Sequence, residues 1–164
     1  MSVERFLLAQ DGRHPTHQGD TYEQAVAEMR AGRKVTHWIW YVFPQRAGLG
    51  RSDMAQFYGI ASMTEVVEYL SHPALRLRYL ECSRLVLDRV SSGDSVYDDL
   101  KKMLGGIDAA KFRSSITLFG EAARICDALQ ADQLSDIWAD FSRLGLRACP
   151  DTLDFIVSSD PWCP

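Results

Sequence analysis

Two polar residues stand where the periodicity of this chain calls for apolar ones. From Asp108 onward, an advance of about 100° per residue places Phe112, Ile116, Phe119, Ala123 and Cys126 in one arc. Leu118, Ala122, Ile125 and Leu129 widen that arc. Lys111 and Ser115 fall inside it, one turn apart, with Asp108 at the start. Arg113, Thr117, Glu121 and Arg124 take the opposite face, which is expected to be solvated. A buried lysine is costly unless it is paired or deprotonated. One reading is a polar pocket wall, in which Lys111 binds an anion or transfers a proton and Ser115 contacts the ligand. The other is local: Lys111 snorkels to water or pairs with Asp108, and Ser115 fills a tight helix crossing.

The run His37-Trp-Ile-Trp-Tyr-Val-Phe-Pro-Gln45 is the second source of chemistry. Trp38, Trp40, Tyr41 and Phe43 offer flat faces that can stack on a nucleobase or another ring. His37 and Gln45 can supply hydrogen bonds or, for the imidazole, proton transfer. Aromatic runs are also ordinary core, and a buried imidazole would then need a partner. A third candidate is Gly48-Leu-Gly50-Arg51-Ser52. Its backbone N–H groups and Arg51 could hold a phosphate, although Asp53 opposes an anion and a plain turn capped by Ser52 explains the same residues. The resulting site comprises His37 and Lys111 as catalytic groups, with Trp38, Trp40, Gln45, Ser52 and Ser115 as ligand contacts.

Composition narrows the partners. The 164 residues carry a net charge of −4 with no block of like charge, which argues against general nucleic-acid binding and against an anionic membrane surface. No apolar run has the length of a transmembrane helix, and the N-terminal residues do not read as a signal peptide, so a cytoplasmic protein is expected. Cys82, Cys126, Cys149 and Cys163 are too widely spaced for a zinc knuckle, and reduced thiols are expected, with Cys82 and Cys126 acting as small core residues. No metal and no cofactor is called for. The patterns of the Ser-His-Asp hydrolases and of the H-E-x-x-H zinc proteases are absent.

The elements that must position these residues read as helices. A first helix spans residues 3–10, capped by Ser2, and a loop with Gly12, His14, Pro15, His17 and Gly19 fills 11–20. Thr21-Tyr-Glu-Gln24 and Ser62-Met-Thr-Glu65 are capping boxes, and Gly32 stops the first of these helices. Ser52 caps a short helix after the 45–51 loop. Pro73 opens a long helix with the stripe Leu75, Tyr79, Cys82, Val86 and Val90, closed by Ser91-Ser-Gly93. Ser95 caps the next helix, which ends at Gly105-Gly106, and Asp108 caps a helix running to about Leu129. Asp132 opens a helix through Leu144, and Pro150 opens one through Val157 before an irregular tail over 158–164. For residues 35–43 propensity favours a strand, yet Pro44 would end a helix at Phe43 equally well.

His37-Trp-Ile-Trp40, Phe43-Pro-Gln45, Ser52, Tyr69-Leu-Ser-His-Pro73 and Asp108-x-x-Lys111-x-x-Ser114-Ser115-x-Thr117-Leu-Phe119 together resemble the domain-of-unknown-function 1810 family of bacterial and fungal proteins. The resemblance extends from about Glu4 to Leu153 and implies an all-helical fold with no established activity. It tips residues 35–43 towards a short buried helix. The expectation is therefore an all-α, single compact domain of about seven to nine helices over residues 1–164. Its expected ligand is an anionic, ring-bearing small molecule, a nucleotide or an ADP-ribose-like compound, in a cleft between residues 37–45 and the Lys111 helix. Metal-independent hydrolysis or group transfer is the accompanying chemistry. The alternative is a protein-interaction module whose aromatic run is core. On the first reading Lys111, Ser115 and His37 line one cleft.

Overall fold

The computed structural model describes residues 2–14, 19–90, 95–159 and 161–163. Among the described residues ten helices follow one another: α1 (Glu4–Gln10), α2 (Tyr22–Ala31), α3 (Ile39–Val42), α4 (Asp53–Phe57), α5 (Met63–Ser71), α6 (Pro73–Val90), α7 (Val96–Leu104), α8 (Gly106–Ile125), α9 (Asp132–Arg143) and α10 (Pro150–Ser158). A 3-10 turn, Asp127–Leu129, lies between α8 and α9. The described residues form no strand, and their one isolated bridge pairs Arg46 with Ile60. The fold class is all-α, as the capping pattern and the family resemblance imply.

The caps account for most of the boundaries. Thr21, Ser52, Ser62 and Ser95 each accept a hydrogen bond from the backbone N–H three residues on, satisfying a donor that the first helical turn leaves open. Gly32 takes the left-handed conformation, φ 75°, that closes α2 and that a side chain would disfavour. Pro73 fits the first turn of α6, where its missing N–H costs nothing, and His72 Nδ1 accepts from Leu75 N. The stripe Leu75, Tyr79, Cys82, Val86 and Val90 is buried throughout. The expected closure at Ser91-Ser-Gly93 lies outside the described residues, as does His17.

Helix α8 is the axis of the molecule, with α7, α9 and α10 packed along it and α5 and α3 reaching it from other sides. Phe112, Ile116, Phe119 and Ala122 are fully buried as the arc requires. The opposite face is only in part the solvated one expected: Arg124 is exposed, Arg113 and Glu121 are half-buried, and the rest is packed. Thr117 is wholly buried, accepts from Cys149 N at 3.0 Å, and donates to the Arg113 carbonyl. Ser114 is buried against Thr152, 2.9 Å between hydroxyl oxygens. Gly120 has no room for a side chain, because a Cβ there would lie 2.5 Å from Trp138 Cγ. Small and hydroxyl-bearing residues on that face admit α9 and α10 at close range, so the helix is sheathed on both sides. Asp108 also differs from expectation. It lies inside the first turn of α8, which begins at Gly106 and has no side-chain cap.

A buried ion pair ties the N-terminal helix to the next layer. Arg5 Nη1 lies 2.5 Å from Glu65 Oε1, and the same guanidinium donates to the carbonyls of Phe57 and Gly59. Glu65 in turn accepts from Ala61 N. Both charges are thus hydrogen-bonded on several sides, the condition under which a buried pair is tolerated. Cys126 and Cys163 form a disulfide with Cα atoms 5.5 Å apart, which corrects the expectation of four reduced thiols. The two stand 37 positions apart in sequence, so their spacing gave no sign that the tail folds back over the end of α8. Cys82 and Cys149 remain free. Among the described residues no helix is long and apolar enough to cross a membrane.

Candidate functional site

Glu28 of α2 organises the aromatic run. Its carboxylate accepts from the backbone N–H groups of Val35 and Thr36, from Thr36 Oγ1 and from Trp38 Nε1, all between 2.7 and 3.1 Å. Burial pushes the Glu28 carboxyl up, but these four bonds outweigh it and hold it below the ordinary carboxylate range. Residues 35–37 are therefore pinned in a non-helical approach, and only Ile39–Val42 close a helical turn. Trp38, Ile39, Tyr41 and Phe43 then enter the core. The Tyr41 hydroxyl donates to the Asp20 carbonyl, and its own carbonyl accepts from Gln10 Nε2. Helix and extended backbone share the segment, which explains why propensity and punctuation pointed different ways.

Trp40 is the exception in that run. It is only half-buried, and the Lys111 ammonium sits 4.2 Å from its ring centroid, a cation–π contact. Lys111 Nζ also donates to Asp108 Oδ1 at 3.0 Å. The other oxygen of Asp108 lies 2.7 Å from Lys34 Nζ. Lys34 is nearly buried, donates to the Thr36 carbonyl and lies over the Trp38 ring. One carboxylate thus serves two ammonium groups. Burial raises the Asp108 carboxyl, and the bonds from Lys34 and Lys111 overcome that and hold it below its usual value.

Beside Lys111 opens a cleft of about 580 Å³. Its floor is the start of α8, with Ile107, Ala110, Lys111 and Ser114, and its other walls are Gln45 with Leu49 and Gly50, and Cys149 with Asp151. Gly50 is required where it stands, since a Cβ would come within 2.5 Å of the Ala55 Cβ. The volume falls within the roughly 300–1,000 Å³ typical of small-molecule sites.

The structure brings together some of the residues singled out from sequence and separates the others. Gln45 and Lys111 line this cleft, and Trp40 backs Lys111. Trp38 is fully buried and committed to Glu28. Ser52 caps α4, with its hydroxyl accepting from Ala55 N. Ser115 is fully buried and hydrogen-bonded to the Tyr79 hydroxyl at 2.9 Å. The His37 side chain is 81% exposed on the Asp20 side, where its backbone N–H donates to Asp20 Oδ2. The expected convergence of His37, Lys111 and Ser115 in one cleft is therefore corrected. His37 is held outward by its backbone bond to Asp20, and Ser115, one turn further along α8 than Lys111, meets Tyr79 of α6 in the core. Ser114, Cys149 and Asp151 were missed. Cys149 and Asp151 come from the far end of the chain, and Ser114 falls at the border between the apolar arc and the opposite face.

These features define a class: an all-α domain with a cleft between the end of an aromatic run and the first turns of a central helix, and no cluster of metal-binding side chains among the described residues. The chain belongs to the family described as protein of unknown function DUF1810, whose profile matches residues 1–139. It is also similar to the conserved hypothetical protein Rv1873 from Mycobacterium tuberculosis, known from a crystal structure. The two share 36% sequence identity over 93% of this chain and 94% of that one, with a TM-score of 0.71. No curated protein matches the chain.

Proposed function

We propose that this domain binds an anionic, ring-bearing small molecule, of the nucleotide or ADP-ribose type, in the cleft beside Lys111. The observation that carries the reading is the shared carboxylate. Asp108 neutralises one of two lysines, and the one facing the cleft is Lys111. A phosphate or carboxylate entering there meets an ammonium already positioned by Trp40. Leu49 and Ile107 supply apolar contact for a ring, and Ile107 is 77% exposed at the rim. Gln45 and Asp151 add donors and acceptors suited to base edges and sugar hydroxyls. Asp151 disfavours an anion next to itself, so the ligand's charged end belongs at the Lys111 side.

The reading is one of binding. His37 does not line the cleft, so a metal-independent hydrolase or transferase would draw on Lys111, Cys149 or Asp151 instead. The burial of Trp38, Tyr41 and Phe43 favours core packing for most of the aromatic run, as the interaction-module reading holds, but it leaves the cleft itself unexplained.

A thermal-shift panel of nucleotides, nucleoside diphosphate sugars and sugar phosphates tests the proposal. Ligand at a hundred times its Kd contributes about 2.7 kcal/mol, a rise in Tm of roughly 5–10 °C for a domain of this size. The expected result is such a rise for at least one compound and its loss in Lys111→Met. A flat response of the wild type to the whole panel refutes the reading.

A further inference from the structure

Arg113 lies on the face of α8 that the cleft does not use. With Tyr97, Gly145, Leu146 and Arg147 it lines a second concavity of about 220 Å³ between α7, α8 and the turn that follows α9. The two sites share no lining residue. Gly145 makes the turn, at φ 93°, and directs Arg147 back towards α8.

The charge here is unbalanced. Arg113 Nη2 donates to the Ala148 carbonyl at 3.0 Å, but its Nε is buried and has no hydrogen-bond partner. Arg147 is exposed and makes no hydrogen bond or ion pair among the described residues. No carboxylate lines the pocket. Arg5, Arg78 and Arg124, by contrast, are each matched with an acid: Glu65, Asp11 and Glu121. Acidic residues outnumber basic ones in this chain, 22 to 18, so a carboxylate was available to selection. Lys101 and Arg113 both lie over the Tyr97 ring, at 5.6 and 5.9 Å, and Lys101 is paired with Asp98. Two guanidinium groups thus face one pocket with no acid beside them.

We infer that this pocket is a second anion site, which takes a phosphate or phosphomonoester group. The volume is below that of a whole small-molecule site and suits a tetrahedral oxyanion with a few waters. Such an anion accepts from the guanidinium of Arg113 and from the fork of Arg147 and neutralises the pair. The site rests on groups independent of Lys111. It also abuts the segment that carries Cys149 into the cleft, because Arg113 holds the Ala148 carbonyl and Thr117 holds the Cys149 N–H.

Inorganic phosphate, titrated at constant ionic strength with chloride as the balancing anion and followed by backbone amide shifts, tests this. Saturable shifts are expected at residues 145–148 and at Tyr97. Arg147→Gln removes an exposed side chain with no internal bonds, so the fold is kept, and it should weaken phosphate about ten-fold or more. Arg113→Lys keeps the charge but loses the fork, and should weaken it as well. Lys111→Gln should leave phosphate binding here unchanged, which separates this site from the cleft. Three results overturn the inference: shifts that grow without saturation, wild-type affinity in Arg147→Gln, or equal weakening by Arg147→Gln and Lys111→Gln.

Discussion

At Glu28 a single carboxylate accepts four hydrogen bonds from three residues that open the aromatic run. Glu28→Ala would leave Trp38 Nε1 and two backbone donors without an acceptor, at a cost of roughly 2–4 kcal/mol. Urea unfolding at neutral pH measures it. The sign of the pH dependence follows from the folded state. The Glu28 carboxyl is held below its ordinary value, as are those of Asp108 and Glu121. Stability from these groups is complete above the unfolded carboxylate pKa of about 4.3 and is lost as pH falls from there through the folded values. Repeating the unfolding series between neutral pH and pH 3 should show that loss, with a shallower acid limb in Glu28→Gln. A stability that rises on acidification would contradict the assignment. None of this was legible in the sequence. Glu28 sits on a helix turn like any solvated glutamate, and its partners lie seven to ten residues ahead with no periodic relation to it.

The elements were legible where Thr21, Ser52, Ser62, Ser95 or a proline marks them, and less so at Asp108, which lies within α8 and does not cap it. Thr21, Ser52, Ser62 and Ser95 work locally, through a side chain and an N–H three residues away, so a short stretch of sequence contains the whole interaction. Ser62→Ala should accordingly cost about 1 kcal/mol, read from the urea midpoint at unchanged slope. Where an element is set by distant partners, the pattern misleads. Residues 35–43 read as strand or helix because the deciding contacts come from Glu28, Asp20 and Gln10. The α8 face bearing Thr117 read as solvated because hydroxyl-bearing residues look alike at a surface and in a close helix crossing. The cleft was half visible for the same reason. Lys111 and Gln45 stand out by type, whereas Cys149 and Asp151 join them only through the packing of α10 on α8.

Over the whole molecule, the Cys126–Cys163 bond fastens the C-terminal tail to the end of the central helix. The chain-entropy estimate for a loop of this length is up to about 4 kcal/mol. Cys163→Ser should lower the unfolding free energy by at most that amount, and a thiol reductant should lower the wild type equally while leaving the variant unmoved. A reductant effect that persists in Cys163→Ser would assign it to another cause. The pairing of Asp108 with two lysines has a different reach. If an incoming anion draws Lys111 away, Lys34 stays at 2.7 Å and the carboxylate keeps a counter-ion. Lys111 can therefore change partners without baring a charge, and the two ammonium groups divide their labour: Lys34 belongs to the scaffold, and Lys111 is on loan to the solvent side.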